Sequence, residues 1–174
     1  MIRSLKYIAV GFVSAALLPF ALGQELPPTG DIEFDHPVLN TAQISASFGM
    51  RKNPFTQKPS WHGGIDLGAP WDDPIFAPAK GEVIFAGTKS GWGKRVDLQV
   101  SDGWVLRFAH LKKINVSEGD QITSGDVLGL IGSTGRATGP HVHLEALYEG
   151  KQYDPQDIQT LKFYAIERVK PSVE

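Results

Sequence analysis

The sequence contains no cysteine. That absence excludes a disulfide scaffold, a cysteine nucleophile, a thiolate zinc site and an acylated lipoprotein cysteine. An excess of either charge is missing too: 17 basic residues face 19 acidic ones, for a formal net charge of −2. The electrostatic footprint of a nucleic-acid-binding domain is therefore lacking, and no nucleic-acid partner is expected. No window between residues 40 and 150 carries a helical stripe of apolar residues, which argues against a helical domain. Three catalytic signatures are also missing: the H-E-x-x-H metal helix, the G-x-S-x-G nucleophile elbow and the G-x-x-x-x-G-K-[ST] phosphate loop.

What remains is enough for one ordinary domain. The chain has 174 residues, 41% hydrophobic and 21% charged, proportions that fit a globular fold and exclude wholesale disorder. Its 19 glycines and 12 prolines suit a turn-rich β protein. The single long apolar run lies at the start. Arg3 and Lys6 precede Ile8–Leu22, and Ala21-Leu22-Gly23 places small residues before Gln24, the three-part layout of a secretory signal. As a helix that run would rise only about 22 Å against about 30 Å of hydrocarbon, and Pro19 interrupts it. The expectation is an exported protein, periplasmic or extracellular, with no stable membrane insertion after residues 1–23 are removed.

Residues 24–35 read as a polar, proline-containing linker, 36–157 as one mainly antiparallel all-β domain, and 158–174 as a short helix and tail. Val96, Leu98 and Val100 alternate with Arg95, Asp97 and Gln99, the period of a half-buried strand. Asp102-Gly103 is a tight-turn signal, so Arg95–His110 reads as a hairpin. Within its second strand, period two puts Trp104, Leu106, Phe108 and His110 on one face. Gly81–Gly87, Asp126–Gly132 and His141–Leu147 are further strands. Ser117–Asp126 resembles the hairpin of biotinyl and lipoyl carrier domains without their cofactor-bearing lysine. Asp154-Pro155 pairs a helix cap with proline at the first helical position.

Four histidines fall at strand edges or in glycine-rich turns; His36 has no spacing that implicates it. In Gly139-Pro140-His141-Val142-His143-Leu144-Glu145, His141 and His143 share one strand face about 6.6 Å apart. Val142, Leu144 and Ala146 share the other. In Trp61-His62-Gly63-Gly64-Ile65-Asp66, His62 and Asp66 can meet at one metal if Gly63-Gly64 folds the backbone between them, which glycine permits through positive φ. Each motif alone is as well explained by a solvated face or a surface turn. Together, two histidines and one carboxylate make a three-donor set that leaves a fourth position open for water, as in catalytic zinc sites. The same set also describes the facial triad of non-haem iron oxygenases.

With these pieces in order, the sequence resembles the lysostaphin-type (LytM-like) zinc metallo-endopeptidases. The resemblance runs through Phe48-Gly49-Met50-Arg51 with Asn53-Pro54, His62-Gly63-Gly64-Ile65-Asp66 and Phe108-Ala109-His110-Leu111. It continues in Gly132-Ser133-Thr134-Gly135, Thr138–Glu145 and Tyr153-Asp154-Pro155. It implies the LytM/lysostaphin-type β fold, a duplicated hybrid motif with a narrow groove over the metal. One zinc ion held by His62, Asp66 and His143 is implied, with His141 and His110 acting on the bound water and the transition state. The implied substrate is the stem peptides or cross-bridges of bacterial peptidoglycan. On that pattern His141 takes the water proton, His110 donates to the oxyanion, and Glu145 orients one imidazole through its second nitrogen. Trp61, Trp92 and Arg136 border the motifs and become candidate substrate contacts, Arg136 for a stem-peptide carboxylate. All five positions are filled, which speaks against a non-catalytic wall-binding or activator module. Departures are Val142 and Leu144 in place of Leu and Phe, Phe108 in place of Tyr, and Lys94 in place of Asn in a loop expected to border the groove.

Overall fold

The computed structural model describes residues 32–101 and 103–167. The expected export segment, residues 1–23, lies outside the described residues. Fourteen strands follow one another: β1 (Leu39–Ala46), β2 (Gly49–Lys52), β3 (Pro59–His62), β4 (Ile65–Gly68), β5 (Pro74–Phe76), β6 (Gly81–Lys89) and β7 (Gly93–Ser101). The second half contributes β8 (Trp104–Leu111), β9 (Lys113–Ile114), β10 (Gln121–Ile122), β11 (Val127–Leu130), β12 (His141–Tyr148), β13 (Lys151–Tyr153) and β14 (Tyr164–Glu167). Nine of them form one sheet in the order β10-β6-β7-β8-β12-β4-β1-β14, with β13 paired to β12. All its pairings are antiparallel except β14 on β1. The strands β5-β11-β9 form a second sheet and β2-β3 a separate ribbon. The all-β, antiparallel class is as the composition and period indicate.

Alternation decides which face is dry. Val142 and Leu144 of β12 lie opposite Leu67 and Ile65 of β4, and Leu144 and Ala146 lie opposite Phe108 and Leu106 of β8. Those two in turn oppose Val96 and Leu98 of β7. All nine side chains are buried in the core. Burying each large aliphatic or aromatic one removes apolar surface from water at a gain of about 1.5–3 kcal/mol. The opposite face of the same four strands carries Asp66, His143, Glu145, Arg107 and Asp97, also as cross-strand neighbours. The β7–β8 hairpin turns at Gly103, whose φ of +79° is the left-handed conformation such turns require.

Four expectations are corrected. Phe34 is buried and Asp35 donates its N–H to the Pro78 carbonyl, so the end of the linker, residues 32–35, is docked on the core. The helix after Asp154 is a single 3-10 turn, Pro155–Asp157, capped by Asp154. Residues Tyr164–Glu167 then extend the main sheet as β14, because the chain can satisfy its backbone groups on the open edge of β1. Ser117–Asp126 is not a hairpin: β10 pairs with β6 and β11 with β5 and β9. Two aspartate turns flank β10, with Asp120 accepting from the Ser117 N–H and Asp126 from the Thr123 N–H. Finally, His110 leaves the face of Phe108. Its φ is +66°, and the register between β7 and β8 slips between Lys94 and Val96. That irregularity turns the imidazole onto the polar face, which strict period two does not anticipate.

Candidate metal centre

The polar face of β4 and β12 is where the chemistry collects. Register sets Asp66 directly opposite His143, and β3 ends at His62 just before the Gly63-Gly64 turn. Neither glycine of that turn has positive φ, so their expected role is corrected: they are needed for close approach. A Cβ on Gly63 would sit 2.0 Å from the Gln152 amide, and one on Gly64 would sit 2.2 Å from the Leu144 carbonyl oxygen.

Three donor atoms converge. His62 Nε2 lies 3.1 Å from Asp66 Oδ1 and 3.0 Å from His143 Nδ1, and His143 Nδ1 lies 2.8 Å from Asp66 Oδ1. All three residues are buried, and their ligating atoms form a group able to hold one metal ion. The outer ring atoms are occupied. The Nδ1–H of His62 donates to the Ser47 carbonyl at 2.8 Å, leaving the Nε2 lone pair of the neutral ring pointing inward. His143 Nε2 faces Glu145 Oε1 at 3.5 Å, the carboxylate–imidazole arrangement that steadies a metal-ligating histidine. Two imidazole nitrogens and a carboxylate oxygen packed this closely call for positive charge between them. The electrostatics of the cluster point the same way. Burial raises the Asp66 carboxyl, but hydrogen bonds and charge from His143 and His62 outweigh it and hold the group well below the usual carboxylate range. Burial lowers His143, yet Asp66 and Glu145 raise it overall. Two nitrogens, one oxygen and no sulfur is a donor set that suits zinc with an open fourth position.

Two more imidazoles stand beside the group. The ring centroid of His110 is 4.9 Å from that of His141 and 6.0 Å from that of His143. His141 Nδ1 donates to the Gly139 carbonyl at 2.9 Å and its Nε2 is 3.7 Å from Asp66 Oδ1. His110 Nδ1 donates to the Thr134 carbonyl at 2.8 Å. Burial, offset only partly by that bond, brings its pKa down to about 4. A carbonyl only accepts, so each neutral ring carries its lone pair on Nε2. Either ring can therefore donate from Nε2 only after that atom has gained a proton.

A groove over these side chains is lined by Trp61, Trp92, Arg136, Phe55 and Arg51 among others. Trp61 is exposed, with its indole N–H donating to Gln152 Oε1 at 2.9 Å. Trp92 packs its ring 5.4 Å from His143 and below the Arg107 guanidinium at 5.2 Å. Arg136 lies over the Phe55 ring at 4.9 Å. Lys94 is absent from the groove lining: its ammonium turns to the Lys112 carbonyl at 2.8 Å.

Three participants were not singled out from the sequence. Arg51 donates to Asp66 Oδ2 at 3.2 Å. Gln152 donates to Glu145 Oε1 at 2.7 Å. Arg107 bonds both oxygens of Asp97 at 3.1 Å and Glu145 Oε2 at 2.7 Å. For Arg107 a signal existed, since the hairpin sets it across from Asp97. Arg51 and Gln152 meet their partners only through the tertiary fold.

Comparison with known proteins gives the family of the chain. The family model described as Peptidase family M23 matches residues 60–155. The DD-carboxypeptidase/endopeptidase Mpg of Neisseria meningitidis serogroup B is 37% identical over 136 residues, covering 78% of this chain and 31% of its own length. The peptidoglycan DD-endopeptidase ShyA of Vibrio cholerae is 33% identical over 117 residues, covering 67% of this chain and 27% of its own. The chain thus spans about a third or less of these relatives. Among solved structures, a zinc-containing peptidase from Vibrio cholerae superposes with a TM-score of 0.64 at 30% identity, covering 74% of this chain and 40% of that one. The catalytic domain of lysostaphin from Staphylococcus simulans gives 0.61 at 27%, covering 66% and 90%. A matched family model across more than half of the chain and a common β fold lead to one assignment: this chain belongs to peptidase family M23.

Proposed function

We propose that this chain is an exported zinc endopeptidase that hydrolyses peptide bonds in the stem peptides or cross-bridges of bacterial peptidoglycan. The observation that carries the proposal is the convergence of His62 Nε2, Asp66 Oδ1 and His143 Nδ1 within about 3 Å of one another, with two further imidazoles alongside. Those three residues would hold the ion. When bound, zinc supplies a Lewis acid that polarises a carbonyl and lowers the pKa of water toward about 7.

The remaining work falls to the chain. His141 and His110 offer Nε2 as proton acceptors, one for each hydrogen of an attacking water. Once protonated, His141 can return its proton to the leaving amine and His110 can donate to the oxyanion. Glu145, held by Arg107 and Gln152, steadies His143. Arg136 has no carboxylate partner among the described residues and is assigned to a stem-peptide carboxylate, with Trp61 and Trp92 as apolar contacts along the groove. Action on the wall outside the cytoplasm is supported by relatives named peptidoglycan DD-endopeptidases. No helix among the described residues is long and apolar enough to cross a membrane. Membership of a peptidase family leaves the iron oxygenase reading without support, and five filled positions favour catalysis over a purely wall-binding module.

The test is release of soluble fragments from purified, dye-labelled peptidoglycan, followed by mass analysis of the products. Release should cease on chelation and return with added zinc. Release that persists after complete metal removal, or intact wall in the presence of the zinc-loaded protein, overturns the proposal.

A further inference from the structure

We infer that Thr134 is a positioning residue that locks His110 in the tautomer whose Nε2 faces the groove. The inference rests on the proposed role of His110. A non-glycine residue at φ +66° is held against its own preference, so something must over-determine it. The main-chain N–H of His110 donates to the Trp92 carbonyl at 2.9 Å, and its carbonyl accepts from the Thr134 N–H at 3.3 Å. Its ring Nδ1 donates to the Thr134 carbonyl at 2.8 Å. Thr134 therefore contacts His110 twice, through one peptide group on each side.

The side chain of Thr134 fixes those peptide groups. Its hydroxyl accepts from the Lys94 N–H at 3.0 Å and donates to the Leu111 carbonyl at 2.7 Å. It thus ties the start of β7 to the end of β8, on the C-terminal side of His110. The surrounding loops interlock with no room to slide: a Cβ on Gly93 would lie 2.4 Å from the Thr134 carbonyl carbon, and one on Gly135 would lie 2.3 Å from the Gly93 nitrogen. Thr134 does not line the groove, so it acts on substrate only through the imidazole it orients.

The experiment compares zinc-loaded wild type with Thr134→Val, which removes both hydroxyl bonds at nearly constant volume, and Thr134→Ser, which keeps them. Thr134→Val should lower kcat on peptidoglycan fragments roughly ten- to a hundredfold, as small displacements of a reacting group do, with KM and zinc content unchanged. Thr134→Ser should stay close to wild type. Nitrogen-15 spectra should show His110 protonated at Nδ1 in the wild type and a mixture of tautomers in Thr134→Val. The inference is overturned by wild-type kcat in Thr134→Val, by Thr134→Ser failing as badly as Thr134→Val, or by a loss confined to KM or zinc. It is equally overturned by a wild-type His110 protonated at Nε2, a measurement that needs no variant to fold. Full turnover in His110→Ala would instead remove the role proposed for His110 itself.

Discussion

At the scale of single residues, the proposed function divides five side chains between gripping charge and handling protons. His62→Ala and His143→Ala each remove a donor from a cluster whose atoms lie about 3 Å apart, so both variants should lose metal and activity together. His110→Ala should keep its metal and lose turnover by roughly a hundredfold or more, the usual worth of a positioned proton-transfer group. Metal content by plasma spectrometry beside turnover separates the two groups. A pH effect follows from the same site in the metal-free protein. Folded His110 takes a proton only near pH 4, whereas an unfolded histidine does so near about 6.5. The unfolded state therefore binds more protons below that value. Stability is full above about pH 6.5 and falls as the pH drops toward 4. Urea melts of the metal-free protein across this window should show a shallower decline in His110→Gln than in the wild type.

Secondary-structure elements explain why so few residues suffice. The β4–β12 pairing sets Asp66 against His143 by register alone, and its tightness depends on a residue with no side chain. Gly64→Ala would drive a Cβ to 2.2 Å from the Leu144 carbonyl and must push the ligand strands apart. It should cost about 2 kcal/mol or more, whereas Gly139→Ala, where a Cβ meets nothing within 4 Å, should stay within about 0.5 kcal/mol. Thermal unfolding of the two variants provides the comparison. Much of this was legible from the sequence, because strand period and the H-x-H spacing report directly on which side chains share a face. Strict alternation puts His110 on the face of Phe108 for the same reason: it has no means of showing a bulge. The Gly-Gly pair marks the turn in the sequence but not its physical cause, since crowding by Gln152 and Leu144 depends on strands remote in sequence. The stretch after Asp154 carries a genuine cap signal, but only the open edge of β1 determines that Tyr164–Glu167 becomes a strand.

Across the whole molecule, one sheet serves as both core and site, and Arg107 is the hinge between the two uses. Its guanidinium spans Asp97 on β7 and Glu145 on β12, and those carboxylates are buried. Arg107→Ala leaves the Glu145 carboxylate buried without a cation and Asp97 with Arg95 as its remaining one, and should destabilise the fold by about 3 kcal/mol or more, as a broken buried ion pair does. It should also weaken metal retention through the loosened Glu145. Denaturant melts with a parallel zinc titration test both effects, and a variant as stable as wild type would refute the first.

The parallel docking of β14 along β1 has an implication for handling the protein. Proteolytic clipping ahead of Tyr164 would strip the cover from a row of backbone donors and acceptors along Leu39–Ala42, and a bare sheet border of that kind recruits strands from other molecules. Clipped material should therefore self-associate as its concentration rises, visibly in light scattering, while the Asp66 side of the sheet keeps its fold.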